Sequence, residues 1–264
     1  MTAAGPRVFI TGASSGIGAA LAARYAAAGA TLGLFARREA ALQELVATLP
    51  APRVSAPAHR IYPGDVCDHA ALAAAARDFI AHAGGIDIVI ASAGISHGTL
   101  TELPEDLPVF EAIFATNVTA MVATFAPFID AMRGQGHGTL VGMASVAGVR
   151  GLPGGGGYSA SKAAVVTYCE SLRLEMRHHG IRVVTIAPGY IDTPMTQQNK
   201  YPMPFLMTPG RFADKAMRTI ARGARYRVIP WQMGVVARLL RWLPDALYDL
   251  AFARAPRKAR KSAP

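Results

Sequence analysis

Arg7-Val8-Phe9-Ile10-Thr11-Gly12-Ala13-Ser14-Ser15-Gly16-Ile17-Gly18 is the stretch that decides the fold of this 264-residue chain. Arg7–Thr11 reads as a strand, apolar without interruption over Val8–Ile10, as a strand covered on both faces must be. A glycine-rich turn follows, and then Ile17–Ala28 reads as an alanine-rich helix closed by Gly29. Glycines between a strand and a helix let the backbone turn tightly and approach a diphosphate at the helix N-terminus. That context separates a nucleotide turn from an ordinary one.

The same alternation continues outward. Thr31–Ala36, His59–Tyr62, Ile86–Ala91, Thr139–Ala144, Arg182–Ala187 and Tyr226–Ile229 read as further strands. Helices are expected over Arg38–Thr48, His69–Ala83, Pro108–Arg133 and Tyr158–His179, with a Pro/Ala loop at Pro50–Pro57. Strands separated by helices predict βαβ units. The fold class is therefore α/β, a doubly wound, Rossmann-like parallel sheet of about seven strands with a C-terminal helical extension. Residues 1–230 are expected to form the main domain, including a substrate lid at about 194–212, and residues 231–264 its basic, apolar extension.

Composition narrows the function. Apolar residues make up 52% and charged residues 17%, which excludes a disordered chain. Residues 1–210 carry 14 basic and 14 acidic side chains and residues 211–264 carry 13 and 3, so the whole net charge of +10 sits at the C-terminal end. A neutral body is not the footprint of a nucleic-acid-binding core, and no nucleic acid is expected as a partner. The two cysteines, Cys67 and Cys169, exclude a disulfide framework and fit a reducing, cytoplasmic compartment. No CxxC or HExxH spacing occurs, and His178 and His179 read as a solvated helix end beside Gly180, so no metal is expected. Met1–Pro6 lacks the pattern of a secretory leader. The uncharged run Ala112–Ile129 approaches the length of a membrane span, but Thr116, Asn117, Thr119, Thr124 and Pro127 favour a long buried helix.

Tyr158-Ser159-Ala160-Ser161-Lys162 places a phenol and an ammonium at i and i+4, on one helix face. A nearby cation favours phenolate and draws the Tyr158 pKa toward working pH. The combination TGxxxGxG followed by YxxxK resembles the short-chain dehydrogenase/reductase superfamily, over residues 7 to about 193.

The resemblance implies roles residue by residue. Gly12, Ser14, Ser15, Gly16, Ile17 and Gly18 would hold the diphosphate of a nicotinamide dinucleotide. Ala36 stands where NAD-preferring relatives carry Asp, and Arg37 and Arg38 follow, which suits the 2′-phosphate of NADP(H). The basic residue that relatives carry before the middle glycine is Ser15 here. Asp65 and Val66 would meet the adenine, although Asp65 equally suits a turn cap. Ala93 and Gly94, in Ala91-Ser92-Ala93-Gly94, would pass under the cofactor where relatives read Asn-Asn-Ala-Gly. Pro188, Gly189, Ile191 and Thr193 would lie along the nicotinamide.

Ser145, Tyr158, Lys162 and Asn117 match the four catalytic positions. The carried-over mechanism moves hydride between the cofactor and a carbonyl or secondary alcohol. Tyr158 exchanges the proton, Ser145 holds the oxygen, Lys162 lowers the Tyr pKa and binds the ribose, and the helix backbone at Asn117 holds a water, with a buried Asn that only satisfies backbone groups as the alternative for Asn117.

Beyond Thr193, the residues Met195, Tyr201, Met203, Phe205, Leu206 and Met207 suggest an apolar substrate pocket, with ordinary packing of the lid on the core as the alternative. Gly154–Gly157 reads equally as substrate wall or surface turn. Trp231–Leu243 and a second helix from Asp245 through Phe252 join tryptophans with Arg238 and Arg241, and Arg254, Arg257, Lys258, Arg260 and Lys261 follow. This segment fits peripheral membrane contact and subunit contact; the resemblance, which implies a homodimer or homotetramer, favours subunit contact, and a segment that only covers its own substrate pocket is the third alternative. Alternatives are an NAD-linked alcohol dehydrogenase and a cofactor-binding scaffold or sensor.

Overall fold

The computed structural model describes residues 5–53, 56–199, 201–253, 255 and 258–260. Seven strands form one parallel sheet: β1 Arg7–Thr11, β2 Thr31–Ala36, β3 Arg60–Pro63, β4 Ile88–Ala91, β5 Gly138–Met143, β6 Ile181–Pro188 and β7 Tyr226–Ile229. Their order is β3-β2-β1-β4-β5-β6-β7. The direction of winding reverses between β1 and β4, and a crevice opens there beyond the strand C-termini.

The strands alternate between two cores because their side chains point to opposite faces. Val8, Ile10, Leu34, Ile90, Val141 and Val184 face the layer formed with α1 (Gly16–Ala27) and its neighbours. Phe9, Phe35, Val89, Leu140 and Val183 face the other, where α3 (His69–Ala83) supplies Leu72 and Phe79. Phe9 is the hub of that second core, with ring centroids of Phe79 and Phe128 at 5.7 and 4.9 Å. Each such buried ring is worth about 1.5–3 kcal/mol over its exposed state.

One expected helix is two. α4 (Leu107–Phe114) and α5 (Ala120–Gln135) are joined by a π-type turn at Ala115–Thr119. The apolar helical stretch Pro104–Gln135 is long enough to cross a membrane by length and composition. Its Met121, Phe125, Phe128 and Met132 are instead buried in the second core.

Two helices have no counterpart in the sequence reading: α7 (Pro194–Gln197) and α8 (Pro209–Ala221). α8 takes the last residues expected in the lid. It buries Phe212, Ala213, Ala216 and Ile220 in the core that contains α1, and Asp214 pairs with Arg24 of α1 at 2.8 Å. α2 (Glu39–Thr48) and α6 (Gly156–Met176) complete the frame. α6 starts two residues before Tyr158, so Gly156 and Gly157 form its first turn.

The C-terminal segment forms α9 (Trp231–Trp242) and α10 (Asp245–Phe252). α10 docks on the loop after β5: Arg150 pairs with Asp245 at 2.9 Å and lies over the Tyr248 ring, whose hydroxyl donates to the Gly151 carbonyl at 2.6 Å. The opposite face is bare, with Trp242 80% and Leu250 78% exposed and Arg238 exposed on α9, while Arg241 lies on the docked side with Gly148, Arg150 and Tyr248.

Candidate active site

A cleft of about 780 Å³ opens at the reversal of strand order. Every site residue expected from the sequence lines it except Asn117. Its floor is the turn from β1 into α1. Gly12 takes φ +69°, where an added Cβ would sit 2.8 Å from the Ala93 backbone. A Cβ at Gly18 would sit 2.2 Å from the Gly12 carbonyl oxygen. The turn, the β4 loop and α1 therefore meet backbone to backbone. No Ser15 side-chain cap and no first-turn acid covers the α1 N-terminus, which opens on the cleft. Bare backbone and an uncapped helix N-terminus fit the diphosphate of a nicotinamide dinucleotide.

At one end of the cleft β2 finishes in Ala36, with Arg37 and Arg38 beside it. Arg38 donates to the Ser14 carbonyl at 3.3 Å and to Ser14 Oγ at 3.2 Å, tying the end of β2 to the glycine turn. Asp65 lines the cleft and also accepts from the Cys67 N–H at 2.9 Å, so the turn cap open in the sequence reading is formed.

At the other end, Ser145, Tyr158 and Lys162 converge. Ser145 ends β5 in extended backbone, accepts from the Ala147 N–H at 3.1 Å and hydrogen-bonds Tyr158. Lys162 is buried, and its ammonium donates to the Met143 carbonyl at 2.9 Å. It lies 5.8 Å from the centroid of the Tyr158 ring.

Here the electrostatics differ from expectation. Burial pushes the Tyr158 pKa up, and only the Ser145 hydrogen bond opposes it. Burial pushes Lys162 down to about 8. The cost of desolvating charge outweighs the pairing expected from i,i+4 spacing. Tyr158 is thus a protonated acid at neutral pH.

Asn117 lies behind the wall, fully buried in the π-type turn. Its Oδ1 accepts from the Ile95 N–H at 2.9 Å, while Nδ2 donates to the Ile95 carbonyl and to Ser161 Oγ, both at 3.0 Å. The side chain braces the β4 loop against α6, and the wide turn is what lets it reach.

Pro188, Gly189, Ile191 and Thr193 follow β6 along the cleft. Thr193 caps α7 through Thr196, so its hydroxyl is already engaged. Of the apolar lid residues only Met195 lines the cleft. Met207 is buried in the core beside α8, while Phe205 and Leu206 face outward, because the bridge from Ile191 to Met207 turns the segment inward at that one residue. The sequence reading missed Ile95, His97 and Thr116 as cleft residues. They carry no spacing signal, since loop and helix bring them there from separate parts of the chain. Among the described residues no group of three or more His, Cys, Asp or Glu could hold a metal ion.

A family model described as short chain dehydrogenase matches residues 6–203. The chain belongs to the short-chain dehydrogenase family. An uncharacterized oxidoreductase of Myxococcus xanthus (strain DK1622) is 38% identical to this short-chain dehydrogenase over 93% of the chain and 95% of the relative. The 2-dehydro-3-deoxy-L-rhamnonate dehydrogenase (NAD(+)) of Sphingomonas sp. (strain SKA58) is 36% identical over 74% and 76%. Among solved structures, levodione reductase superposes with a TM-score of 0.78 at 27% identity, covering 88% of this chain and 98% of that one. The 3-ketoacyl-(acyl-carrier-protein) reductase from Brucella melitensis complexed with NADH gives 0.76 at 25%, covering 86% and 97%. This short-chain dehydrogenase is thus an oxidoreductase with a nicotinamide-nucleotide fold.

The depressed Lys162 pKa makes a stability prediction. Between pH 8 and 10.5 the unfolded chain binds a proton at this lysine that the folded chain has lost, so the wild type gains stability as pH rises. Lys162→Met should raise the unfolding free energy by up to about 3 kcal/mol below pH 8. That gain should shrink toward pH 10.5. Urea midpoints across this range check it; a gain independent of pH would mean that charge burial is not its source.

Proposed function

We propose that this short-chain dehydrogenase is an NADP(H)-dependent reductase of a small carbonyl compound, with secondary-alcohol oxidation as the reverse reaction. The observation that carries the reading is the convergence of Ser145, Tyr158 and Lys162 on the cleft that also holds the glycine turn and the α1 N-terminus. A bound nicotinamide supplies or accepts the hydride. Tyr158, protonated because burial raises its pKa, gives its phenol proton to the carbonyl oxygen as negative charge develops there. Ser145, already hydrogen-bonded to Tyr158, holds the same oxygen and sets its direction. Lys162 places positive charge behind the phenol and is anchored by the Met143 carbonyl. Asn117 keeps the β4 loop against α6 and so acts as a positioning residue. Ile95, Ala112 and Met195 give the non-reacting part of the substrate an apolar wall.

The preference for NADP(H) is supported by Ala36, which leaves no carboxylate at the end of β2, and by Arg37 and Arg38 at the cleft rim. NAD is the competing reading, favoured by the names of the Sphingomonas relative and the Brucella structure.

We also propose that the bare face of α9 and α10 rests on an anionic membrane surface. Exposed Trp231, Leu239, Trp242 and Leu250 with Arg238 beside them have the pairing of apolar and cationic groups that lipid interfaces favour, and Arg241, expected in the same set, lies on the docked side. A second copy of the chain, in a homodimer or homotetramer, is the competing occupant of this face. Arg254, Arg257 and Lys261, expected to join this basic set, lie outside the described residues. Lys258 and Arg260 do not join it, because they turn inward onto the body. The protein would then be cytoplasmic and peripheral to the membrane.

Tyr158→Phe should retain cofactor binding and lose about 10²–10⁴ in turnover. NADPH absorbance with a reducible carbonyl measures this, and wild-type turnover in the variant would refute the assignment. Replacing Arg37 and Arg38 together with Ala should weaken NADPH by more than about tenfold and leave NADH nearly unchanged. Nicotinamide fluorescence titration of both cofactors decides, an equal loss pointing to NAD. Vesicles containing phosphatidylserine should float the protein at low salt only, and Trp242→Ala with Leu250→Ala should abolish this. Absence of flotation together with a smaller oligomer in that variant would assign the face to a second subunit instead.

A further inference from the structure

The last described residues, 258–260, lie between Tyr158 and the turn that starts α4. The Gly98 N–H donates to the Ala259 carbonyl at 2.8 Å, and Gly98 and Arg260 form a parallel bridge. Arg260 grips Asp106 through two nitrogens, each 2.9 Å from a different carboxylate oxygen, and reaches Glu105 at 3.2 Å. Asp106 is buried and also accepts from the Leu100 N–H at 2.8 Å. This bidentate clasp joins the tail to the turn that starts α4.

The clasp sets Lys258 against the site. Its ammonium donates to Ser96 Oγ at 2.5 Å and lies over the Tyr158 ring, 5.1 Å from the centroid, closer than the Lys162 ammonium at 5.8 Å. Ser96 sits between Ile95 and His97, both of which line the cleft. Lys258 is half-buried and makes no ion pair among the described residues, while Asp106 and Glu105 pair with Arg260. Burial pushes its pKa down to about 8. An ammonium has three donors, and a desolvated one without a counter-charge is costly. A guest that brings the missing anion recovers that cost.

We propose that Lys258 is a specificity-determining residue that binds an anionic group, a carboxylate or its equivalent, on the carbonyl substrate that Tyr158 protonates. The inference rests on the carbonyl-reductase reading above and refines its substrate class to an apolar body with one anionic end. The clasp between Arg260 and Asp106 makes the C-terminal tail the part of the chain that reads this anion. A single charge-assisted contact discriminates by about 10–100-fold.

The test uses two probes of one shape that differ in charge, 4-formylbenzoate and 4-formylbenzamide, with the full chain and saturating NADPH, repeated with NADH. The wild type should show a KM at least tenfold lower for the carboxylate. Lys258→Met should raise that KM to the level of the amide, leaving kcat within about twofold and the amide unaffected. Asp106→Asn, which loosens the clasp, should shift KM in the same direction, with a melting curve checking that it is folded. Calorimetric titration of both probes into the Tyr158→Phe protein with cofactor reads the same preference without turnover. It therefore stands even if no carbonyl is reduced, a result that would count against the reductase reading alone. Equal affinity for the two probes in the wild type, or a carboxylate preference that survives Lys258→Met, would overturn the proposal. A variant that accelerates on both probes would overturn it too, by showing the tail to be a plug. So would an equal loss of kcat on both, by showing that Lys258 acts on Tyr158 alone.

Discussion

The buried ammonium of Lys162 is the constraint around which the reacting end of this molecule is built. It has one carbonyl within hydrogen-bond distance, that of Met143, and no ion pair among the described residues. Such a charge is held only where the surroundings are rigid enough to forbid its escape to water. β5 supplies the carbonyl at its last residue, α6 supplies the lysine one turn beyond Tyr158, and Asn117 locks the β4 loop to the same helix through Ile95 and Ser161. The stability given up at Lys162 is given up beside the Tyr158 phenol, where the proposed proton transfer would use the charge.

The cofactor end depends on the opposite device, the absence of side chains. β1 and β4 are neighbours in the sheet, so the turns that leave them pass within contact of each other. Gly12 and Gly18 keep that contact at backbone distance, and the α1 N-terminus stays uncovered. Both ends open on one cleft because the order of the strands reverses between β1 and β4, a property of topology rather than of any single residue.

The C-terminal segment serves two surfaces. α9 and α10 cover the loop after Ser145 with one face and leave the other bare. Farther along, Arg260 meets the buried Asp106, whose one ion-pair partner among the described residues it is. A stretch of sequence that looks like a uniformly basic end is therefore divided, with Arg238 outside, Arg241 on the docked side, and Lys258 and Arg260 turned inward.

The sequence by itself determined the seven strands, to within two residues at each end, and the order of the glycine turn and the Tyr158–Lys162 pair. These are local patterns: continuous apolar runs mark strands buried on both faces, and i,i+4 spacing places two groups on one helix face. It did not disclose α8 as a core helix, because Pro209 and the charged face of Arg211, Lys215 and Arg218 resemble a loop until α1 packs against Phe212. Nor did it show the π-type turn, since Pro108 to Arg133 reads as one continuous helix and the turn shows only where Asn117 meets the β4 loop and α6. Only the tertiary structure decided the direction of the Tyr158 pKa, because desolvation depends on what surrounds the phenol and not on the lysine four residues away. It alone brought Lys258 to Tyr158, 100 positions apart in the chain, since that contact is made by the fold of everything between them.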